Sequence, residues 1–156
     1  MIPFPEQYKV VKLYQGAANA VACDVVSTKN CHKLWFVVSH VGAADTDLVL
    51  SLYEATDVAA GTNAAVTKTC PIWVNTDNST TSDTLAATTA AYSYTIDTGV
   101  APNQLVVIEV DPAKLSAGYD CVYLADSGGN ASNTCTILAI MDQRYQGASL
   151  PAAITD

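Results

Sequence analysis

The sequence predicts an all-β protein: an antiparallel two-sheet sandwich, jelly-roll-like, with one short helical turn near residues 111–117, and an immunoglobulin-like sandwich as the alternative wiring. Three observations lead there. Eight or nine runs of four to eight residues carry aliphatic, aromatic and β-branched side chains in alternating or continuous apolar patterns. Clusters of Gly, Pro, Asn, Asp, Ser and Thr separate them all. Only one stretch carries helix signals, and it has room for a turn or two, so the helical crossovers that parallel strands require are missing. Eight strands in two sheets close most commonly as a jelly roll.

Taken in order, IPFPEQY (2–8) alternates large apolar residues with proline, which predicts an extended arm over residues 1–9. Its Ile2, Pro3, Phe4, Pro5 and Tyr8 are candidate contacts to a neighbouring subunit or partner surface; a loosely docked terminus is the plain alternative. Residues 10–13 read as a short edge strand, and 20–26 as a strand in which Val21, Cys23 and Val25 alternate with small or polar residues. LWFVVSHV (34–41) is almost continuously apolar, which predicts a central strand covered on both faces with Trp35 or Phe36 in the core. Across the loop 42–47, Leu48, Leu50 and Leu52 alternate with Val49, Ser51 and Tyr53 in a strand expected to form a hairpin with 34–41.

Residues 64–74 read as a strand interrupted at Pro71, hence at an edge or bulge. The segment 75–89 has almost no core residue and predicts a long surface loop, and YSYTI (92–96) is a short strand. The best-specified passage is QLVVIEVDPAKLSAGYDCVYL (104–124). Val106, Ile108 and Val110 share one face of its first strand and Leu105, Val107 and Glu109 the other. Asp111 can cap a following helical turn, Pro112 suits its first position, and Gly118 can leave it left-handed. A second strand follows, with Val122 and Leu124 on one face. Glycines 128 and 129 turn the chain into TCTILAIM (134–141), the last strand. The expected organisation is an arm (1–9), a single β-sandwich domain (10–145) and a tail (146–156).

The formal charge of −8 disfavours nucleic acid and anionic membrane surfaces as partners. With charged residues at 14% and a mean hydropathy of +0.21, the chain either buries two tight sheets or hides surface in an assembly. The first residues lack the basic region and apolar core of a signal peptide, and no run approaches transmembrane length. Five cysteines without CxxC spacing read as small apolar residues of a reducing compartment. The acceptor patterns at Asn78 and Asn130 are then coincidental.

Chemistry finds few candidates. The adjacent Cys31 and His32 should point apart, and His40 stands alone. Asp45 and Asp47 are too few for a calcium cage, which takes about six to eight oxygen ligands. Glu54, Asp57 and Asp77 read as surface acids rather than a glycosidase pair. No motif for a metal, cofactor or nucleophile appears, and the chain is expected not to be an enzyme. Trp73, Tyr92 and Tyr94 are candidates for stacking on a carbohydrate, with core packing as their alternative.

The LWFVV strand, the segment LVLSLYEATDVAAGTNAAV, VVIEVDPAKLSAGYDCVYL and the closing TILAIMDQRY together resemble small capsid decoration (cement) proteins of tailed bacteriophages, over residues 29–145. The resemblance implies a structural virion protein, made in the host cytoplasm, that binds the outer surface of the capsid as a trimer. It also implies the major capsid protein as partner, no cofactor, and an arm reaching across a neighbour. A virion adsorption or carbohydrate-binding module is the alternative.

Overall fold

In the computed structural model of the chain, which describes residues 3–78, 82–145, 147 and 150–154, eleven strands form two antiparallel sheets. The first sheet runs β1 (Tyr8–Ala17), β11 (Thr134–Gln143), β3 (Cys31–Val41), β9 (Asn103–Val110), β6 (Ile72–Asn75) and β7 (Ala86–Ala87). The second runs β2 (Val26–Ser27), β10 (Cys121–Gly128) and β4 (Leu48–Ala55), with β5 (Asn63–Ala65) and β8 (Ser93–Ile96) also paired to β4. With β5 to β7 set aside, each successive strand crosses to the other sheet except β8, which returns beside β4 in the same sheet. The lateral orders β1-β11-β3-β9 and β2-β10-β4-β8 are those of a jelly roll rather than an immunoglobulin-like sandwich.

Alternation builds the core. Leu34, Phe36 and Val38 of β3, Val106, Ile108 and Val110 of β9, and Ile137, Ala139 and Met141 of β11 are all buried. So are Leu48, Leu50 and Leu52 of β4 and Val122 and Leu124 of β10, all in one cluster. Each large aliphatic side chain buried this way contributes about 1.5–3 kcal/mol. The passage 104–124 forms as its residues dictate: Asp111 accepts a hydrogen bond from the Ala113 N–H at 3.0 Å, Pro112–Lys114 make a 3-10 turn, and Gly118 has φ +88°. Its two strands lie in opposite sheets, so the capped turn is the corner between layers.

Five expectations need correction. β3 and β4 do not form a hairpin, because residues 42–47 carry the chain from one sheet to the other and the apolar faces of the two strands meet across the core. Nor is β3 covered on both faces: Phe36 anchors the core, while Trp35, Val37 and Ser39 lie half-buried on the outside. Of the strand expected over 20–26 only Val26 pairs, in β2 together with Ser27, although Val21 is buried. Pro3, Phe4 and Pro5 do not belong to an extended arm: Phe4–Gln7 form one helical turn, α1. Proline at the start of a helix forfeits no intrahelical hydrogen bond, because the first N–H groups have no partner there. Tyr8 and Lys9 already belong to β1, an edge strand of ten residues rather than four, and Ile2 lies outside the described residues. In the tail, Ala153 enters the core and its carbonyl accepts a hydrogen bond from the Ser27 N–H at 2.7 Å.

Candidate functional site

The outward side chains of the first sheet form a broad, largely apolar surface among the described residues. Register aligns them in two rows: Val10, Ile140, Trp35 and Glu109, and beside them Lys12, Leu138, Val37, Val107 and Trp73. Val10 is 49% exposed and Leu85, over the far edge, 40%. Trp35, Trp73, Leu85, Val107 and Glu109 line a shallow cleft of about 340 Å³. The polar groups there are satisfied within the chain. Glu109 accepts from the Lys33 ammonium at 2.6 Å and from the Trp35 ring N–H at 2.9 Å, which fixes the indole in place. The carboxylate also raises the pKa of Lys33.

Around the β1 edge the same surface continues as a chain of rings. Trp35 and Tyr8 lie 6.4 Å apart between centroids, and Tyr8 stacks on Phe4 at 5.1 Å. Phe4, Pro5, Tyr8, Lys9, Val10 and Leu150 line a second shallow cleft, of about 390 Å³, and Phe4 is 54% exposed. The amide N–H of Gly147 donates to the Glu6 carbonyl at 3.2 Å, and the Lys9 ammonium to that of Pro151, which ties the helical turn to the tail. Thus Pro3, Phe4, Pro5 and Tyr8 sit together at one sheet edge.

Titratable groups do not converge. Cys31 points into the core, where burial pushes its thiol up to about 12, while His32 is exposed on the other side of the strand. Burial also pushes Cys135 up to about 12 and Cys23 up to about 11, so these thiols stay protonated and unreactive near neutral pH. His40 is fully buried, with Nδ1 2.9 Å from the Pro102 carbonyl and Nε2 without a partner; burial lowers its pKa. The Glu54 carboxylate, 2% exposed, accepts the Ser116 N–H at 2.9 Å. Asp57 closes its own turn by accepting from Ala59 and Gly61, and Asp47 accepts from Thr98. Among the described residues no three His, Cys, Asp or Glu side chains gather as metal ligands, and no helix is long and apolar enough to cross a membrane.

The aromatic candidates separate. Tyr94 packs against the core and donates its hydroxyl to Gln104 at 3.2 Å, Tyr92 is exposed near it, and Trp73 stands on the outer face of the other sheet. What sequence reasoning missed is that Trp73 and Trp35 line one cleft. The signal was present: in a strand Trp35 and Phe36 must face opposite sides, so one of them had to be outside.

No protein-family model and no curated protein sequence matches the chain. Among solved structures, it is similar to the crystal structure of the SPBc2 prophage-derived protein YomS, at 12% identity and a TM-score of 0.48, over 86% of this chain and 91% of that one. A chain of the infectious bursal disease virus Gt strain is matched at 13% identity and a TM-score of 0.17, over 90% of this chain and 32% of that one. At these values neither likeness assigns a role.

Proposed function

We propose that this protein is a structural component of a tailed-phage virion that binds the outer surface of the capsid and stabilises the shell by bridging neighbouring capsomers. The observation that carries the reading is the Phe4-Tyr8-Trp35 run of rings at the β1 edge, an apolar contact surface that the segment assigned to capsid contact by the sequence resemblance forms together with Trp35 of β3. Its work is passive. Contacts that span two capsomers exist only in the assembled shell, so their free energy adds to the stability of that state alone. The major capsid protein is the partner, and self-association as a trimer belongs to the same reading.

Deletion of residues 2–7 tests it, since these precede β1 and leave the ladder to β11 intact. Particles assembled with the truncated protein should lose most of its copies, counted by cryo-electron microscopy, while its melting curve stays close to that of the full chain. Unchanged occupancy would refute the arm as the contact.

A second reading, an adsorption or carbohydrate-binding module, has the Trp35 and Trp73 cleft in its favour. It requires the intact protein to bind host cells or glycans and Trp73→Ala to abolish that binding without unfolding. Absence of binding by the intact protein ends it.

A further inference from the structure

We infer that the outer face of the first sheet is closed by a second copy of this chain, sheet face against sheet face. Its centre is Trp35, Val37, Leu138, Ile140 and Val107, all half-buried by neighbours in the sheet and, among the described residues, covered by no other layer. Four strands at ~4.8 Å and four rows of outward residues at ~6.8 Å, with the shorter β6 beside them, give the whole face, charged rim included, a projected area of roughly 600 Å². Side-chain relief brings that toward the ~800 Å² each partner contributes to a standard stable interface.

Charge selects the occupant. The chain carries −8, yet the outward positions here hold Lys12, Lys33, Glu109 and Asp142, two of each sign. Two acidic molecules can therefore meet by this face without the repulsion that acts between their other surfaces. A strongly basic partner finds Glu109 already paired with Lys33. A sugar finds the polar groups at the cleft already taken, because both Glu109 oxygens and the Trp35 N–H are engaged within the chain. A flat sheet presenting side chains at strand spacing fits another sheet of the same kind about 10 Å away, and an identical surface related by a two-fold axis is self-complementary in shape. The inference rests on the sheet face alone and not on the capsid reading.

Sedimentation velocity on the full chain across the micromolar range, paired with circular dichroism, is the test. The wild type should sediment at an even multiple of 16.3 kDa, twice that mass for the pair alone. Leu138→Lys should shift it to the single-chain mass, while Val100→Lys, at a position 82% exposed and away from the face, should not. Should the lysine at 138 unfold the chain, the pair Val37→Thr and Val107→Thr, which keeps β-branched shape in the strands, decides the matter. It should raise the dissociation constant at least about tenfold, the effect of losing roughly 1.4 kcal/mol of association free energy. A wild type that stays single throughout the range, or an assembly unmoved by folded variants, overturns the inference. A single-chain protein found on virions would sink this inference and leave the capsid reading; an assembly absent from virions would do the reverse.

Discussion

Asn133→Ala should be among the most damaging polar truncations in this fold, and its cost can be worked from contacts. The side chain is fully buried between the loop 129–133 and the crossover 42–47. Its Oδ1 accepts the N–H groups of Ala43 and Ala44, each at 2.8 Å, and its Nδ2 donates to the carbonyls of Ala44 at 3.0 Å and Thr46 at 3.5 Å. Truncation strands two amide donors and a carbonyl at the place where the chain changes sheets. At about 1 kcal/mol for each partly buried group left unpaired, the loss is about 3 kcal/mol. For a domain of this size that lowers the melting temperature by about 6–12 °C. Urea unfolding followed by tryptophan fluorescence measures it. Asn130→Ala is the control in the same loop, since Asn130 Oδ1 only closes an exposed turn onto the Ser132 N–H. A loss below about 1 kcal/mol, or one equal to that of Asn130→Ala, would refute the clamp.

Two further predictions concern backbone and pH. Gly118 and Gly129 share a left-handed φ, at +88° and +77°, but a Cβ on Gly118 meets open space whereas one on Gly129 would lie 1.6 Å from the Ala18 carbonyl oxygen. Gly118→Ala should therefore cost only the conformational strain of about 1–2 kcal/mol, and Gly129→Ala at least ~2 kcal/mol more, in the same denaturation assay. Equal losses would show that φ alone sets the cost. Burial lowers the His40 pKa below its ordinary 6.5, so the folded state binds fewer protons there than the unfolded state. Its contribution is fully present above 6.5 and is lost as pH falls through the lowered value. Melting temperatures measured down this window should fall faster for the wild type than for His40→Gln, and parallel slopes would remove His40 as the cause.

Local chemistry decided a large part of this molecule. The alternation of Val106, Ile108 and Val110 assigned an inward face because a strand has no other way to present every second residue. Asp111, Pro112 and Gly118 specified a capped turn through properties of their own backbones and side chains. The same reasoning failed at Pro3 and Pro5, read as helix breakers, because their effect depends on position within a helical turn that only the structure defines. Strand partners were not legible either. Leu34 to Val41 and Leu48 to Leu52 are close in sequence and alike in pattern, and whether six residues between them make a hairpin or a crossover depends on which faces bury each other.

The site divides in the same way. Sequence identified an apolar, acidic chain that either buries two tight sheets or hides surface in an assembly, and named Phe4 and Tyr8 as candidate contacts. Tertiary structure decided which outward apolar residues meet, by laying β1, β11, β3, β9 and β6 side by side so that Val10, Ile140, Trp35, Val107 and Trp73 share one outer face. Period-two alternation tells which residues of a strand share a side. Only the lateral order of strands far apart in sequence makes those sides a surface.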